Sequence, residues 1–441
     1  MSPRSLSNST KALNKRVGGW VADGNLTNSS RHDGLKGSRV LITGITGFVG
    51  PHLAKALLGR GATVYGLVRR RSDGNLYRGL TDLKIESEVK VIEGSTEDLT
   101  SLLTALDRSE PDYIYHLAAQ SFVERSFLNP LETFHANATG TTNLLEAIRI
   151  KDRISAKFIY AGSSEEYGLV ISSRSQLQKL SQRSAVFPHP TVIPELPVKE
   201  TNPLRPMSPY AVTKVFGEHI TLNFQRSYGL KGLVSRAFNH EGSRRGASFV
   251  TSTIARQAMR LKYGEQKEIL IGNLNPFRDW SHVDDVVEGY LLLAEKGAEG
   301  EVYNLGSERA NSIATYLLWS LEEAGFATKR LHIGHGRRTV NNPSEMTKIT
   351  KFGKQFQSSR LDQLLLDEEI EFLPSDERMV LVTNKGEIRV LVDKKRLRPA
   401  EVPILLSDAS KAKREIGFRI RHSVKDIIVD QLNYYADAKR R

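Results

Sequence analysis

Two short stretches carry the residue types that move protons. Ser163-Ser164-Glu165-Glu166 follows the apolar run Phe158-Ile159-Tyr160, which reads as the end of a buried strand. Two hydroxyls and two carboxylates there are poorly suited to packing and well suited to chemistry, because ligands of open α/β sheets bind beyond the carboxyl ends of the strands. Downstream, Tyr210 and Lys214 stand four residues apart, so on a helix they share a face. An ammonium beside a phenol favours the phenolate, which lets Tyr210 move a proton at neutral pH. Tyr-x-x-x-Lys alone is common on amphipathic helices; a strand-end Ser163 and a nucleotide loop upstream make it specific.

The elements that must position these groups are legible from Arg39 onward. Val40-Leu41-Ile42-Thr43 is a short buried strand and Gly44-Ile45-Thr46-Gly47-Phe48-Val49-Gly50 a loop. Pro51 to Arg60 is a helix with Leu53, Ala54, Leu57 and Leu58 on one face, and Ala62 to Val68 a second strand. This is the first half of a dinucleotide fold, whose glycines permit a tight turn and a close approach of backbone to pyrophosphate. An NAD site usually places an acidic residue after the second strand. Arg69-Arg70-Arg71-Ser72 stands there instead, and guanidiniums suit a 2′-phosphate, which favours NADP. Val89 to Gly94 reads as a third strand, and Tyr113 to Ala119 as a fourth whose small residues let the chain lie against the cofactor. A helix over Asn137 to Ile150 leads into the strand that carries Ser163.

Leu233 to Phe238 is a further strand, delivering the polar loop Asn239-His240-Glu241-Gly242-Ser243-Arg244-Arg245-Gly246, whose two guanidiniums can grip phosphates. The expected fold is therefore α/β, a Rossmann-type doubly wound parallel sheet with a smaller mixed α/β C-terminal substrate lobe. Residues 1–36 read as a mobile arm, 37–235 mainly as the cofactor domain, and 236–441 mainly as a substrate lobe interleaved with it. Insertions are expected near 170–196 and 335–387. The second holds an acidic stretch from Asp362 to Glu377 and a hairpin from Met379 to Val392 turning at Asn384-Lys385-Gly386.

Composition narrows the function. The 441 residues contain no cysteine, which excludes disulfides, thiol catalysis and cysteine-liganded metals; no metal site is expected. No apolar run approaches the roughly 20 residues of a membrane span and no signal-peptide core is present, so a cytoplasmic protein is expected. The net charge is +13, but 50 acidic residues are interspersed with 63 basic ones. That pattern points to acidic small-molecule ligands rather than nucleic acid or membrane.

Gly44-x-x-Gly47-x-x-Gly50, Ser163, Tyr210 and Lys214 together resemble the extended short-chain dehydrogenase/reductase family. Within it, Thr43 to Gly50, Phe238 to Gly246 with Phe249-Val250-Thr251, Gly272 to Trp280 and Arg398 to Val402 look most like the GDP-mannose 4,6-dehydratases. Gly162 to Gly168 and Leu204 to Tyr210 look as much like the GDP-4-keto-6-deoxymannose reductases. The resemblance covers residues 38–330 and 388–435 and implies NADP as cofactor. Gly44, Ile45, Thr46, Gly47, Phe48 and Val49 would wrap its pyrophosphate, with Gly50 closing the loop. Arg69, Arg70 and Ser72 would hold the adenosine 2′-phosphate, and Ser95, after Gly94, stands where the family has an acidic residue. Leu117, Ala118, Ala119 and Ser121 would run along the cofactor, and Lys214, His240 and Arg245 would complete the site. Asn239, Arg278 and Arg398 are the implied contacts to the sugar nucleotide.

The implied reaction is dehydration. Tyr210 and Ser163 serve oxidation at C4, and Glu165 serves proton removal at C5. Ser164 replaces an aspartate of the dTDP-glucose relatives, so Glu165 would act as both base and acid. Two other readings compete: an NADPH-consuming 4-keto reductase, and a nucleotide-binding scaffold without catalysis. The resemblance also implies a homodimer or homotetramer paired through helices, one of them bearing Tyr210 and Lys214.

Overall fold

Strand β1, Arg39–Thr43, sets the layering. Its side chains alternate, so Val40 and Ile42 enter one core while Leu41 enters another. Around it lie β2 (Thr63–Val68), β3 (Lys90–Glu93), β4 (Tyr113–His116), β5 (Lys157–Ala161), β6 (Gly232–Ala237) and β7 (Val302–Leu305). The computed structural model describes residues 34–70, 77–182, 185–334, 336, 338–373 and 378–441. The expected arm up to residue 33, and Ser72, lie outside the described residues.

The seven strands form one sheet in the order β7-β6-β5-β4-β1-β2-β3, with every pairing parallel. Because the order reverses between β1 and β4, a crevice opens beyond their carboxyl ends. Helices Val49–Gly59 and Val283–Lys296 cover one face, burying Leu53, Leu57, Val286 and Leu293. Helices Leu99–Ser109, Gly140–Ile150 and Pro209–Tyr228 cover the other.

A second core belongs to the C-terminal lobe. Its five-stranded sheet runs Arg338–Asn341, Thr328–Ile333, Arg378–Thr383, Gly386–Val392, Glu268–Ile271. The hairpin over 378–392 is present, with Thr383 opposite Gly386 across the turn. Its second strand pairs in parallel with Glu268–Ile271, far earlier in the chain. Helices Val250–Lys262, Ile313–Glu323 and Val424–Ala436 pack on this sheet through Ile254, Leu317 and Ile428.

Three local expectations need correction. The fourth strand stops at His116 and not at Ala119; Thr43 Oγ1 meets His116 Nδ1 at 2.7 Å and accepts from Ala118 N at 3.3 Å, turning the chain out of the sheet. The helix expected from Asn137 begins as a π-turn, His135–Thr139, before regular helix at Gly140. Asp362, read as part of a charged stretch, is buried and accepts from Ser312 N, Thr315 Oγ1 and Asn311 Nδ2. Among the described residues no helix is long and apolar enough to cross a membrane.

Candidate active site

The strand ends open into a cleft of about 1020 Å³. That exceeds the volume of a site for one drug-sized ligand and leaves room for a dinucleotide and a second substrate side by side.

Gly44 takes φ +75°, and a Cβ there would meet Ala118 N at 2.6 Å, so only glycine lets the loop pass the end of β4. The loop ends at the N-terminus of helix Val49–Gly59, whose first turn carries no acidic side chain, an arrangement suited to an anion. Thr46, Gly47, Phe48, Val49 and Gly50 line the cleft with Gly44, whereas Ile45 is buried beneath it. Arg69 lines the cleft, as do Gly94, Ser95, Leu117, Ala118, Ala119 and Ser121. Arg70 is exposed beside it.

The helix that carries Tyr210 and Lys214, Pro209–Tyr228, starts where its sequence requires. Ser208 Oγ accepts from Ala211 N at 3.1 Å, Pro209 occupies the first turn, and Gly229 in the left-handed region ends it. Lys214 is thereby aimed back at the sheet, its Nζ 2.7 Å from Ala161 O and 5.9 Å from the centroid of the Tyr210 ring. Ser163 caps a short turn over Ser164–Glu166, its Oγ accepting from Glu165 N at 3.2 Å. Ser164 and Glu165 face the same cleft, and no protein group hydrogen-bonds the Glu165 carboxylate among the described residues.

Burial pushes the Tyr210 phenol well up, and the Ser163 hydroxyl and the Arg245 guanidinium pull it back. Burial also lowers Lys214 to about 8. His240 is lowered to about 4 by desolvation and by Arg245. Its Nδ1–H donates to Phe238 O at 2.9 Å, so its Nε2 is an acceptor; the ring stacks on Phe48 at 6.2 Å. Arg245 lies 3.6 Å from the centre of the Phe249 ring.

Asn239, Arg278 and Arg398 also reach the cleft. Arg278 is already engaged: it donates to Val402 O and to Glu401 Oε1, both at 2.8 Å, and Arg398 meets the same carboxylate at 3.4 Å. A diphosphate would share both guanidiniums with Glu401.

Two lining residues had no legible signal, and a third, within the Leu117 to Ser121 stretch, is held in a way the sequence does not show. Glu124, raised by burial and opposed by Arg398 and Arg396, stands at the mouth. Arg256, on helix Val250–Lys262, lines the cleft with its Nε buried and unpaired, although an arginine on an amphipathic helix reads as solvated. Gln120 is fixed by Asn137 of the π-turn, whose Oδ1 accepts from Gln120 N at 2.7 Å while its Nδ2 donates to Thr213 Oγ1 at 3.0 Å. That turn ties the end of β4 to helix Pro209–Tyr228, a placement common for π-turns near functional sites.

Comparison with known proteins agrees with this geometry. Residues 41–369 match the family model described as GDP-mannose 4,6 dehydratase. GDP-mannose 4,6-dehydratase of Sinorhizobium fredii is 31% identical over 397 residues, covering 89% of this chain and 95% of that protein. The Homo sapiens GDP-mannose 4,6 dehydratase is 31% identical over 404 residues, covering 89% and 90%. Among solved structures, RMD from Pseudomonas aeruginosa complexed with NADPH superposes with a TM-score of 0.61 at 23% identity, covering 90% of this chain and 99% of that one. DesIV, a dTDP-glucose 4,6-dehydratase from Streptomyces venezuelae, gives 0.60 at 21%, covering 91% and 98%; at these identities both speak for the fold alone. With most of its length matched and the strand-end serine, tyrosine and lysine in one cleft, the chain belongs to the GDP-mannose 4,6-dehydratase family of extended short-chain dehydrogenases/reductases.

Proposed function

We propose that this protein is an NADP-dependent sugar-nucleotide 4,6-dehydratase that converts GDP-mannose to GDP-4-keto-6-deoxymannose. The observation that carries the reading is the convergence of Ser163, Glu165, Tyr210 and Lys214 on one cleft in a chain of this family. The residues present fit a dinucleotide. The glycine loop exposes backbone to a phosphate, the first helix turn bears no opposing charge, and Arg256 presents a buried Nε with no hydrogen-bond partner, while Arg245 Nε lies 3.4 Å from Glu241 Oε2. Arg69 and Arg70 after β2 favour the 2′-phosphorylated form.

A nicotinamide held by the glycine loop and Lys214 would supply a reversible hydride acceptor, for hydride from C4 of the hexose that is later delivered to C6. Tyr210 takes the proton of the C4 hydroxyl, with Ser163 sharing the hydrogen bond and Lys214 favouring the phenolate. The ketone acidifies C5, and Glu165 removes that proton. The same carboxyl then protonates the C6 hydroxyl, which departs as water, so one group serves as base and acid; as hydride reaches C6, the proton held by Tyr210 goes to C5, which restores the phenolate. Ser164 beside it offers a hydroxyl and no second carboxylate.

The test is incubation with GDP-mannose and no added reductant. A 4-keto product is expected, with Glu165→Gln retaining C4 oxidation but losing elimination. Absence of product across GDP-, UDP- and dTDP-hexoses overturns the reading. An apolar face on helices Val123–Leu128, Pro130–Phe134 and Pro209–Tyr228, where Leu128, Leu131, Val212 and Phe216 are exposed, supports pairing into a homodimer or homotetramer. Phe216→Glu should then shift the sedimentation of the protein toward monomer.

A further inference from the structure

Behind the Ser163 turn three ionisable side chains are sealed from water. Glu166 is 0% exposed, Glu218 2% and Arg236 4%. Glu166 comes from the turn itself, Glu218 from the catalytic helix one turn beyond Lys214, and Arg236 from β6. Each guanidinium nitrogen already donates elsewhere: its Nη2 and Nε to the two oxygens of Glu218 at 2.5 and 2.8 Å, and its Nη1 to Glu200 O at 3.0 Å. Glu166 Oε1 accepts from Ser163 N at 2.6 Å. Its other oxygen, Oε2, stands 3.8 Å from Arg236 Nε, the same nitrogen that donates to Glu218 Oε2 at 2.8 Å, and receives no hydrogen bond.

Two carboxylates facing one guanidinium without water leave an uncompensated charge, and a bare buried carboxylate oxygen is costly. A proton on Oε2 removes both defects, since a neutral acid can donate to the Glu218 carboxylate. We propose that Glu166 is a positioning residue held as a neutral carboxylic acid, its Oε1 fixing the Ser163 backbone and its Oε2–H shared with Glu218. Burial and then the Glu218 charge push the Glu166 proton affinity upward, in agreement with this geometry. Gly162 makes the room, because a Cβ there would lie 2.6 Å from Glu166 Oε1.

The state of Glu166 reaches the reacting groups. The titratable and charged groups facing it are Glu218 and Lys214 on the catalytic helix, Tyr210 at its start, Tyr160 on β5 and Arg236 on β6. A negative Glu166 would raise Tyr210 and oppose the phenolate. A neutral one leaves the ammonium of Lys214 unopposed beside the phenol. This last step rests on the role proposed for Tyr210, whereas the proton on Glu166 does not.

Infrared spectroscopy of the full-length protein at neutral pH separates the two. The wild type should show the carbonyl stretch of a neutral carboxylic acid that Glu166→Gln and Glu166→Leu both lack. Gln keeps the acceptor for Ser163 N, so Glu166→Gln should leave kcat and the acid limb of the kcat/KM profile where they are. Glu166→Leu should lower kcat/KM by about 10-fold or more, through a buried Ser163 N–H left unpaired, with Gln as the rescuing variant. The proposal is overturned if the wild type has no such band, if the band survives in both variants, or if Glu166→Gln moves the acid limb down by about 1 unit, as removal of a true charge would. Failure to turn over GDP-mannose would defeat the dehydratase reading and leave the spectroscopic result standing.

Discussion

Two arginines near Tyr167 are sealed from water with carboxylate partners, and they differ in how the charges add. Arg205 meets Glu195 one to one, with Nη1 and Nη2 each 2.8 Å from a different carboxylate oxygen. The remaining donors go to Pro188 O and Leu169 O, and Glu195 Oε2 also accepts from Ile171 N. Every polar atom is used and the charges cancel. This cluster clamps the segment read as the first insertion, residues 170–196, against the strand-end turn. Arg236 instead faces two carboxyls and satisfies only one. A cancelled pair can only hold, whereas a surplus carboxyl leaves a proton to be placed, and here it sits behind Ser163.

The comparison can be broken at either arginine. Arg236→Ala should be the more damaging, because it strands Glu218 and removes the guanidinium lying 4.8 Å over the Tyr167 ring. A loss of about 3–5 kcal/mol or more is expected in urea unfolding. Arg205→Ala should cost about 3–5 kcal/mol by stranding Glu195 alone; a loss near zero would mean that water already reaches the pair.

Lys214 sharpens the picture through pH. Its folded value near 8 lies below the ordinary 10.5. Between those values the unfolded chain holds a proton that the folded chain lacks, so this residue's contribution to stability rises with pH across the window. Lys214→Met should remove up to roughly 3 kcal/mol of that rise, measured as the difference between the two unfolding free energies at about pH 7.5 and pH 10. The smallest effect is expected from Glu195→Leu combined with Arg205→Met. Replacing a balanced buried pair by apolar groups is often neutral, so a change within about 1 kcal/mol is expected. A large loss would show that the clamp depends on the carbonyl bonds of Arg205 more than on the pair.

What the sequence discloses and what it hides follow from distance along the chain. The glycine loop, the serine after β5, and the tyrosine and lysine one turn apart are local spacings, so residues and periodicity were enough to read them. The unbroken apolar run Val40-Leu41-Ile42 is likewise a local signal for a buried strand. Glu401 could not be foreseen as the partner of Arg278, because 123 residues separate them and nothing local marks either. Arg256, Glu218 and Asp362 carry no mark of their buried settings in the sequence, since charged residues on helices are ordinarily solvated. The π-turn at Asn137 has no compositional mark; its signal is the hydrogen bonding of Asn137 to two other elements, which exists only after folding.

The parallel pairing of Glu268–Ile271 with Gly386–Val392 has a consequence for the nascent chain. Six of the seven strands of the large sheet leave the ribosome before Glu268, but the lobe strand must wait for the hairpin, whose residues are translated many seconds later at about 5–20 residues per second. Throughout that interval Ile269 and Ile271, buried in the finished lobe, sit on a strand whose backbone edge has no partner. Aggregation during overproduction should therefore begin in the lobe, and a chaperone that shields this one strand would protect the whole polypeptide.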